Sequence, residues 1–248
     1  MIPKKSQSLN VCVVLPAYNA EKTLKKTYYD IPNKYRNNVI LVDDASHDRT
    51  THLAKKLNLQ VYRHKNNRGY GANQKTCYRL ALISGADIVV MLHPDYQYDP
   101  KLIKYFVEMI ADKYFDVMLG SRIRSRKEVL DGGMPKYKYY SNRFLTIIEN
   151  TLSGHNLTEW HTGMRAYSSE VLKNIKFNRF SNDFVFDSQM LFAIMEKGYK
   201  IGEIPVPVRY FSEASSINFK RSLKYGLQTV GEAFKYYFRK NKQSSKKK

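Results

Sequence analysis

Cysteine is scarce in this chain: only Cys12 and Cys77 occur among its 248 residues. So few cysteines exclude a small fold that is held together by several disulfides. Cys12 lies in a predicted strand and Cys77 in a predicted helix, so we expect both to be reduced packing residues. This usage is typical of a cytosolic protein, and we expect a cytoplasmic location, with or without association with the cytoplasmic face of a membrane.

Long hydrophobic runs are also missing. No segment approaches the roughly 18 apolar residues that a membrane-spanning helix needs. The first residues, Met1–Lys5, lead into a polar stretch and do not resemble a signal peptide. Hydrophobic residues make up 43% of the sequence and charged residues 26%, which is ordinary for a globular protein. We therefore expect a folded domain with appended segments.

Acidic residues are outnumbered, with 22 Asp and Glu against 42 Lys and Arg and a formal net charge of +20. This charge favours an anionic partner: a nucleoside diphosphate, a phospholipid headgroup or a nucleic acid. We do not expect nucleic acid, because the chain has no recognised binding motif for it and acidic clusters at strand ends would repel its phosphates. Residues 218–248 are especially basic, with ten Lys or Arg and the single acid Glu232.

Strand and helix patterns alternate over the first half of the chain. Short apolar runs are followed by polar turns and then by helical patterns of about ten residues. This alternation predicts βαβ units and an α/β fold with a mostly parallel central sheet flanked by helices. The predicted strands are Val11–Leu15, Val39–Val42, Gln60–His64, 87–92 and Val117–Gly120.

The alternation ends after residue 120. Residues 121–136 are polar and predict a mobile loop. Further along, we predict a helix at 136–153, a short strand at Met164–Tyr167, a helix at Phe184–Lys197 and an extended edge segment at Ile201–Arg209. The chain is accordingly divided into an N-terminal tail (1–9), a main domain (10–217), a basic helix (218–240) and a disordered Lys-rich end (241–248).

The basic helix is amphipathic. Its apolar residues recur every three or four positions and so share one face, while the other faces are basic and rich in tyrosine. Such a helix either packs on the domain or lies on an anionic membrane surface. The apolar positions are Phe219, Leu223, Leu227, Val230, Phe234 and Phe238.

Polar clusters follow the predicted strands of the sheet, at the edge where ligands of open α/β sheets bind. In one of them, His93, Asp95 and Gln97 are spaced two apart and form a candidate cradle for a divalent ion that carries a diphosphate; the alternative is a simple strand-to-helix turn. Asp44 suits hydrogen bonds to a nucleobase, unless Asp43-Asp44 only caps the next helix. The clusters are Pro16–Glu21, Asp43–Asp48, His93–Gln97 and Ser121-Arg122, and together they predict a nucleotide site in which Tyr18 stacks on the base and Arg122 neutralises diphosphate.

An ordered set of motifs resembles glycosyltransferase family 2, and within it the polyprenyl-phosphate (dolichyl-phosphate) hexosyltransferases. The resemblance covers roughly residues 10–217. The motifs that carry it are Pro16-Ala17-Tyr18-Asn19-Ala20-Glu21, Val42-Asp43-Asp44-Ala45-Ser46-His47-Asp48-Arg49-Thr50, Asn67-Arg68-Gly69-Tyr70-Gly71, Gly120-Ser121-Arg122 and Thr162-Gly163-Met164-Arg165.

The resemblance implies a GT-A fold and inverting transfer of a hexose from a UDP- or GDP-sugar. Carried over by position, Pro16, Tyr18 and Glu21 line the nucleoside site, and Asp44 contacts the base or ribose. Asp95 and Gln97 hold Mg²⁺ or Mn²⁺ through the donor diphosphate, since hard oxygen ligands suit these ions. Arg122 resembles the phosphate-binding arginine of these enzymes, and Arg143 is a second candidate.

The sequence departs from the family at His93, where the usual Asp-x-Asp has its first aspartate. An imidazole ligates Mn²⁺ but is a poorer ligand for Mg²⁺. The alternative is that His93 hydrogen-bonds the diphosphate and leaves the metal to Asp95 and Gln97. The same departure raises a further alternative, a non-catalytic relative.

Three residues are candidate bases by the resemblance: Glu159, Asp187 and His161. A hydroxyl acceptor needs such a base. A lipid phosphate is already anionic, and positioning by arginine then matters more. The acceptor is therefore a polyprenyl phosphate, as we expect, or the hydroxyl of a surface polysaccharide or other glycan. With a lipid acceptor, residues 219–240 are expected to contact the membrane.

Overall fold

The computed structural model describes residues 9–123, 125–207 and 219–245. The strands are β1 (Val11–Ala17), β2 (Val39–Asp43), β3 (Gln60–Arg63), β4 (Ile88–Met91), β5 (Val117–Ser121), β6 (Arg165–Ser168) and β7 (Ile201–Pro205). The helices are α1 (Glu21–Asp30), α2 (Thr50–Lys56), α3 (Tyr70–Ile83), α4 (Ile103–Ala111), α5 (Arg126–Asp131), α6 (Lys136–Ser153), α7 (Ser169–Asn174), α8 (Phe186–Glu196) and α9 (Phe219–Ser245). Short 3₁₀ turns lie at Asn33–Tyr35, Pro100–Leu102 and Phe177–Arg179.

The described strands form one sheet in the order β3-β2-β1-β4-β6-β5-β7. All neighbours are parallel except β6, which runs antiparallel to both β4 and β5. The predicted α/β architecture with a mostly parallel sheet is therefore confirmed. β7 pairs only with β5 at one edge, where a strand that ends in Pro205 is tolerated.

The reversal of β6 positions the later motifs. Because β6 is antiparallel to β4, with Val90 opposite Ala166, the residues that enter β6 lie at the carboxyl end of β4. Glu159 through Met164 thus reach the same sheet edge as the ends of the parallel strands.

Apolar side chains cover both faces of the sheet. Alternate residues of β1 point to opposite sides, so that Cys12 belongs to one buried cluster and Val13 to the other. Cys12 and Cys77 lie in the same cluster as free thiols, as expected for packing residues. Burial raises the pKa of the Cys12 thiol to about 12, so it is protonated at neutral pH.

The structure differs from the predictions at three places. The segment expected to be a loop at 121–136 contains α5, whose first turn is capped by Ser125 Oγ accepting from the Glu128 amide at 3.2 Å. The short helix α7, capped by Ser168, was not predicted. Helix α9 continues to Ser245, past its predicted end at 240.

Some predictions fall outside the described residues: most of the tail 1–9, the end of the extended segment after residue 207, and residues 246–248. Among the helices that the structure describes, none is long and apolar enough to cross a membrane.

Candidate active site

The ends of β1 and β2 are joined by hydrogen bonds between their loops. Asn19 adopts a positive φ of 52°, and its amide donates to Ser46 Oγ at 2.8 Å. Its side-chain Oδ1 accepts from the His47 amide at 2.9 Å. Asp43 accepts from the Ser46 amide at 3.3 Å and from Thr51 Oγ1 at 2.8 Å. We call these loops, with the glycine loop at 67–71, the β1–β2 cluster.

The predicted nucleoside residues take different places in this cluster. Tyr18 is 47% exposed at the sheet edge and meets the His47 ring edge-on, so a face of Tyr18 is available for a base. Pro16 is buried within β1, opposite Val42. Glu21 Oε2 accepts from the Arg49 amide at 3.0 Å and thus links α1 to the start of α2. The roles of these three residues toward a nucleoside stay predictions.

Asp44 fixes the glycine loop. Its two oxygens accept from the amides of Arg68 and Gly69, each at 2.9 Å. Oδ1 also lies 2.6 Å from His64 Nδ1, and the carboxylate is almost fully buried. Asp44 is therefore first an acceptor for backbone amides, and its contact with the base or ribose stays a prediction.

Glycine is required where this loop meets the turn before α8. Gly69 has a φ of +94°, and a Cβ there would lie 2.7 Å from the Asn182 carbonyl oxygen. A Cβ on Gly71 would lie 2.5 Å from the Ser181 oxygen, and the Gly71 amide donates to Asn182 O at 2.8 Å. The loop is thereby held closely against residues 181–183.

His93 sits between Tyr70 and Gly163. Its ring is stacked on Tyr70 with centroids 5.4 Å apart. A Cβ on Gly163 would lie 2.8 Å from His93 Cδ2, so the motif glycine leaves room for the imidazole. The Tyr70 hydroxyl donates to Asp187 Oδ2 at 2.9 Å, and the oxygen of the same hydroxyl lies 3.3 Å from His93 Nε2. Because that hydroxyl proton is used, Nε2 donates and Nδ1 is left as an acceptor.

The residues after β4 would fit a divalent cation that takes its other ligands from a diphosphate. Asp95 supplies a hard carboxylate, and its Oδ1 accepts from the Gln97 amide across a turn in which Tyr96 has a φ of 58°. Burial lowers the pKa of His93, against the charges of Asp95 and Asp187, which favours the neutral imidazole. Within the described residues, no group of three or more His, Cys, Asp or Glu could hold an ion alone, so a cation at Asp95 would need further oxygen ligands, such as those of a diphosphate.

A second set of residues surrounds the end of β5. Glu159 accepts from the Arg122 amide at 2.7 Å, from Arg122 Nε at 2.8 Å and from Asn142 Nδ2 at 2.9 Å. Arg122 Nη2 also donates to the His161 carbonyl at 2.8 Å. We call Arg122, Lys138, Asn142 and Glu159 the β5 cluster.

Glu159 is the counter-ion of Arg122. Its burial would raise the pKa of the carboxyl, but the charge and hydrogen bonds of Arg122 outweigh burial and lower it. A fully buried carboxylate with a lowered pKa and four donors is a weak proton acceptor. The geometry therefore argues against Glu159 as the base and assigns it to holding Arg122 in place.

Other cations lie near Arg122 on α6. Lys138 precedes Asn142 by one helical turn and so shares its face, and burial together with the charge of Arg122 lowers the pKa of Lys138. Arg143 Nη1 donates to the Thr158 carbonyl at 2.7 Å, which places this residue at the entrance to the same loop. Like charges held together in this way favour an anionic ligand between them.

Asp187 is buried next to the stacked rings of Tyr70 and His93. Besides Tyr70, it accepts from Gln74 Nε2 at 3.1 Å, and its Oδ2 lies 3.6 Å from Arg165 Nη2. Arg165 is fully buried and also donates to the Thr162 carbonyl at 2.9 Å. The sequence predicts no role for Tyr70, Gln74 or Arg165. For Arg165 a signal is present, because it is a charged residue at the start of an otherwise mostly apolar strand.

His161 has a neighbour at each ring nitrogen, and the contact at Nδ1 is a hydrogen bond. Nδ1 lies 2.5 Å from the Tyr225 hydroxyl of α9, and Nε2 lies 3.1 Å from Glu149 Oε2 of α6. Ser188 Oγ donates to the other oxygen of Glu149 at 2.8 Å. His161 thus ties α9 and α6 to the loop before β6, and it is poorly placed to take a proton from an acceptor.

These features define a class of protein. A mostly parallel sheet carries the β1–β2 cluster, Asp95 and Arg122 along one edge, where open α/β sheets bind ligands. The chain belongs to glycosyl transferase family 2, whose pattern it matches over residues 12–176. It is a glycosyltransferase, and the family assignment made from its motifs is confirmed.

Characterised relatives and solved structures agree with this assignment. The chain is 29% identical over 217 residues to the UDP-N-acetylglucosamine–dolichyl-phosphate N-acetylglucosaminyltransferase of Methanococcus voltae, covering 81% of this chain and 86% of that one. It is 29% identical to the dolichyl-phosphate hexose transferase of Haloferax volcanii, covering 81% and 83%.

Glucosyl-3-phosphoglycerate synthase from Mycobacterium tuberculosis, crystallised with Mn²⁺, uridine diphosphate and phosphoglyceric acid, has the same fold. Its TM-score is 0.70 at 16% identity, covering 93% of this chain and 79% of that chain. The expected GT-A fold is therefore confirmed.

Proposed function

We propose that this protein transfers a hexose, with inversion, from a UDP- or GDP-sugar to a polyprenyl phosphate. The observation that carries the proposal is that each of the three candidate bases already has partners within the protein. Glu159 is paired with Arg122, His161 with Tyr225 and Glu149, and Asp187 with Tyr70, Gln74 and Arg165. A site arranged in this way suits an acceptor that arrives already deprotonated.

A lipid phosphate is such an acceptor, because its oxygen is anionic at neutral pH. The β5 cluster offers it Arg122, which Glu159 orients, and Lys138 beside it. Arg143 lies at the entrance to the loop. These cations would position the phosphate for attack, and no proton would have to be removed from it.

The donor would occupy the β1–β2 cluster, with its base against Tyr18 and its diphosphate toward Asp95. Asp95 and Gln97 would hold Mg²⁺ or Mn²⁺. His93 would ligate the ion through Nδ1 or, with its Nε2 proton turned from Tyr70 to the donor, hydrogen-bond the diphosphate. The ion would neutralise the charge that develops on the leaving diphosphate. The Mn²⁺ and uridine diphosphate bound by the mycobacterial enzyme support this reading of the donor side.

In the reaction, an oxygen of the acceptor phosphate attacks the anomeric carbon from the side opposite the diphosphate. The bond from the anomeric carbon to the diphosphate oxygen breaks, and the nucleoside diphosphate leaves with the electron pair. A single displacement of this kind inverts the anomeric centre. The products are a polyprenyl phosphate sugar and UDP or GDP.

The dolichyl-phosphate transferases among the relatives support this choice of acceptor. A polyprenyl chain of this kind lies in a bilayer, so the proposal includes contact of residues 219–240 with the cytoplasmic face of a membrane. In this proposal the protein binds at the membrane surface and does not span the bilayer through these residues.

A donor and acceptor panel tests this function. Purified protein is incubated with radiolabelled UDP- and GDP-hexoses, Mn²⁺ or Mg²⁺, and either a short-chain polyprenyl phosphate or a soluble oligosaccharide. We expect label in the lipid phosphate, dependent on the metal, from donors of one base.

Transfer to the oligosaccharide without transfer to the lipid phosphate would contradict the proposal and favour the glycan acceptor. Absence of transfer to either, together with nucleotide-sugar binding, would favour a non-catalytic relative. A parallel reaction with Glu170→Gln, an exposed position on α7, controls for handling of variants.

A further inference from the structure

Helix α9 faces the domain with a different side from its apolar stripe. Thr229 and Ala233 are fully buried and Tyr236 nearly so, and these positions form the packing face. Large apolar side chains on the other side are exposed: Leu227 by 70% and Phe238 by 65%. Leu223 and Phe234 share that side and are 58% and 46% exposed. The stripe is thus not used for packing within the described chain.

Helix α6 has the same division. Its buried positions, Asn142, Thr146 and Glu149, recur at one face. On the opposite face an apolar stripe is exposed at spacings of three and four residues. Its members are Tyr137 (48% exposed), Tyr140 (54%), Phe144 (64%) and Ile147 (57%).

The two helices lie side by side and run in the same direction. A Cβ on Gly226 of α9 would lie 3.8 Å from Leu145 of α6. Further along, Lys240 Nζ of α9 donates to the Ser153 carbonyl at the end of α6 at 2.8 Å. Because each stripe points away from the buried face of its own helix, both stripes lie on the side of the helix pair that faces away from the domain.

Basic residues border this surface. Arg221, Lys224 and Lys235 of α9 have side chains that are 56%, 64% and 68% exposed. Each helix has one acid: Glu149 is buried, and Glu232 lies 2.9 Å from Lys235. An apolar surface with a cationic border matches a bilayer with anionic headgroups. A second copy of this chain, which also has a net charge of +20, would be repelled.

We propose that α6 and α9 together form a two-helix surface that docks the protein on an anionic bilayer, with α6 contributing as much apolar contact as α9. The geometry stands independently of the reaction; only the purpose of docking rests on the proposed polyprenyl phosphate acceptor.

The β5 cluster lies on the domain side of the same pair of helices. Asn142, on the buried face of α6, bonds Glu159, and Tyr225 of α9 bonds His161. The Arg221 guanidinium lies 5.2 Å above the Phe184 ring, which stacks on Tyr70. A docked protein would therefore hold its acceptor cations one helix layer away from the apolar surface, close to the headgroup region in which the phosphate of a lipid acceptor is found.

Vesicle co-sedimentation tests the proposal. Wild-type protein is mixed with phosphatidylcholine vesicles, with and without phosphatidylglycerol, and compared with Phe144→Glu and Ile147→Glu on α6 and Leu227→Glu on α9. We expect binding that needs phosphatidylglycerol and falls roughly tenfold or more in each variant. Ile83→Glu is the matched control, since Ile83 is 75% exposed on α3, and it should bind as the wild type does.

Binding unchanged by the α6 substitutions would overturn the two-helix surface, as would a dimer in gel filtration that the same variants dissolve. Transfer to a short, water-soluble prenyl phosphate without vesicles separates this proposal from the proposed function. Variants that keep this transfer but lose vesicle binding support docking. Vesicle binding by a protein that transfers to no acceptor leaves docking intact and removes only the proposed function.

Discussion

The β1–β2 cluster and the β5 cluster differ in the kind of hydrogen-bond donor that each supplies to its buried carboxylate. Asp44 is satisfied largely by backbone amides, at Arg68 and Gly69. Glu159 is satisfied largely by side chains, from Arg122 and Asn142. The backbone amides bound by Asp44 fix the shape of the glycine loop, whereas the ion pair with Glu159 fixes the position of the Arg122 side chain. The first arrangement suits a preformed nucleotide pocket, and the second suits the placement of an arginine toward an anionic acceptor.

The comparison predicts that the β5 cluster is the more sensitive to loss of one charge. In Glu159→Gln, Arg122 loses its counter-ion while remaining largely buried. We expect the free energy of unfolding to fall by about 3–5 kcal/mol, measured by urea denaturation. Glu170→Gln, at an exposed position, should change it little. Equal stability of Glu159→Gln and the wild type would contradict the ion-pair account.

The same pair predicts a pH dependence. The pKa of Glu159 is lower in the folded protein than the ordinary value of 4.5. Its contribution to stability is therefore fully present above about pH 4.5 and is lost as the pH falls through the lowered folded pKa. Unfolding curves over the acid range should be flatter for Glu159→Gln than for the wild type; parallel curves would argue against the lowered pKa.

Asp95 lies between the two clusters, and its substitution should affect the reaction more than the fold. We expect Asp95→Asn to lower kcat by about 100-fold, the effect of losing one group that stabilises developing charge. The unfolding midpoint should stay near that of the wild type. Donor turnover and thermal unfolding are measured on the same preparation, and unchanged turnover would remove the metal assignment.

Asp44→Asn should have a smaller effect on stability than Glu159→Gln, because an amide oxygen still accepts from one loop amide. We expect a loss of about 2 kcal/mol. Hydrogen exchange should quicken at the amides of Arg68 and Gly69. Asp112→Asn, at an exposed position after α4, is the control, and unaltered exchange at both amides would show that Asp44 does not hold the loop.

The sequence was sufficient for the sheet and for the β1–β2 cluster because their determinants are local. Apolar runs marked the strands, and the polar residues of this cluster follow them directly along the chain. The glycines at 69 and 71 were visible as a loop, although their contact with residues 181–183 was not.

Arg122 was predicted as a site residue, but the contacts that Glu159 and His161 make could not be, because their partners lie far apart in sequence. Arg122 meets Glu159 across 37 positions, and His161 meets Tyr225 across 64. From the sequence alone, Glu159 and His161 are therefore candidate bases. Their contacts in the structure make Glu159 the counter-ion of Arg122 and join His161 to α9. The exposed stripe of α6 could not be predicted for a related reason: its exposure depends on which face of the helix packs against the rest of the domain.

A crossed pair of variants tests most directly the claim that the two clusters serve two substrates. The Kd of the nucleotide and the KM of polyprenyl phosphate are measured for Tyr18→Ala and Lys138→Gln. The account predicts that Tyr18→Ala weakens nucleotide binding about tenfold, by loss of stacking, and leaves the acceptor KM unchanged. Lys138→Gln should raise the acceptor KM and leave the nucleotide Kd unchanged. The account is contradicted if Lys138→Gln weakens the nucleotide and spares the acceptor.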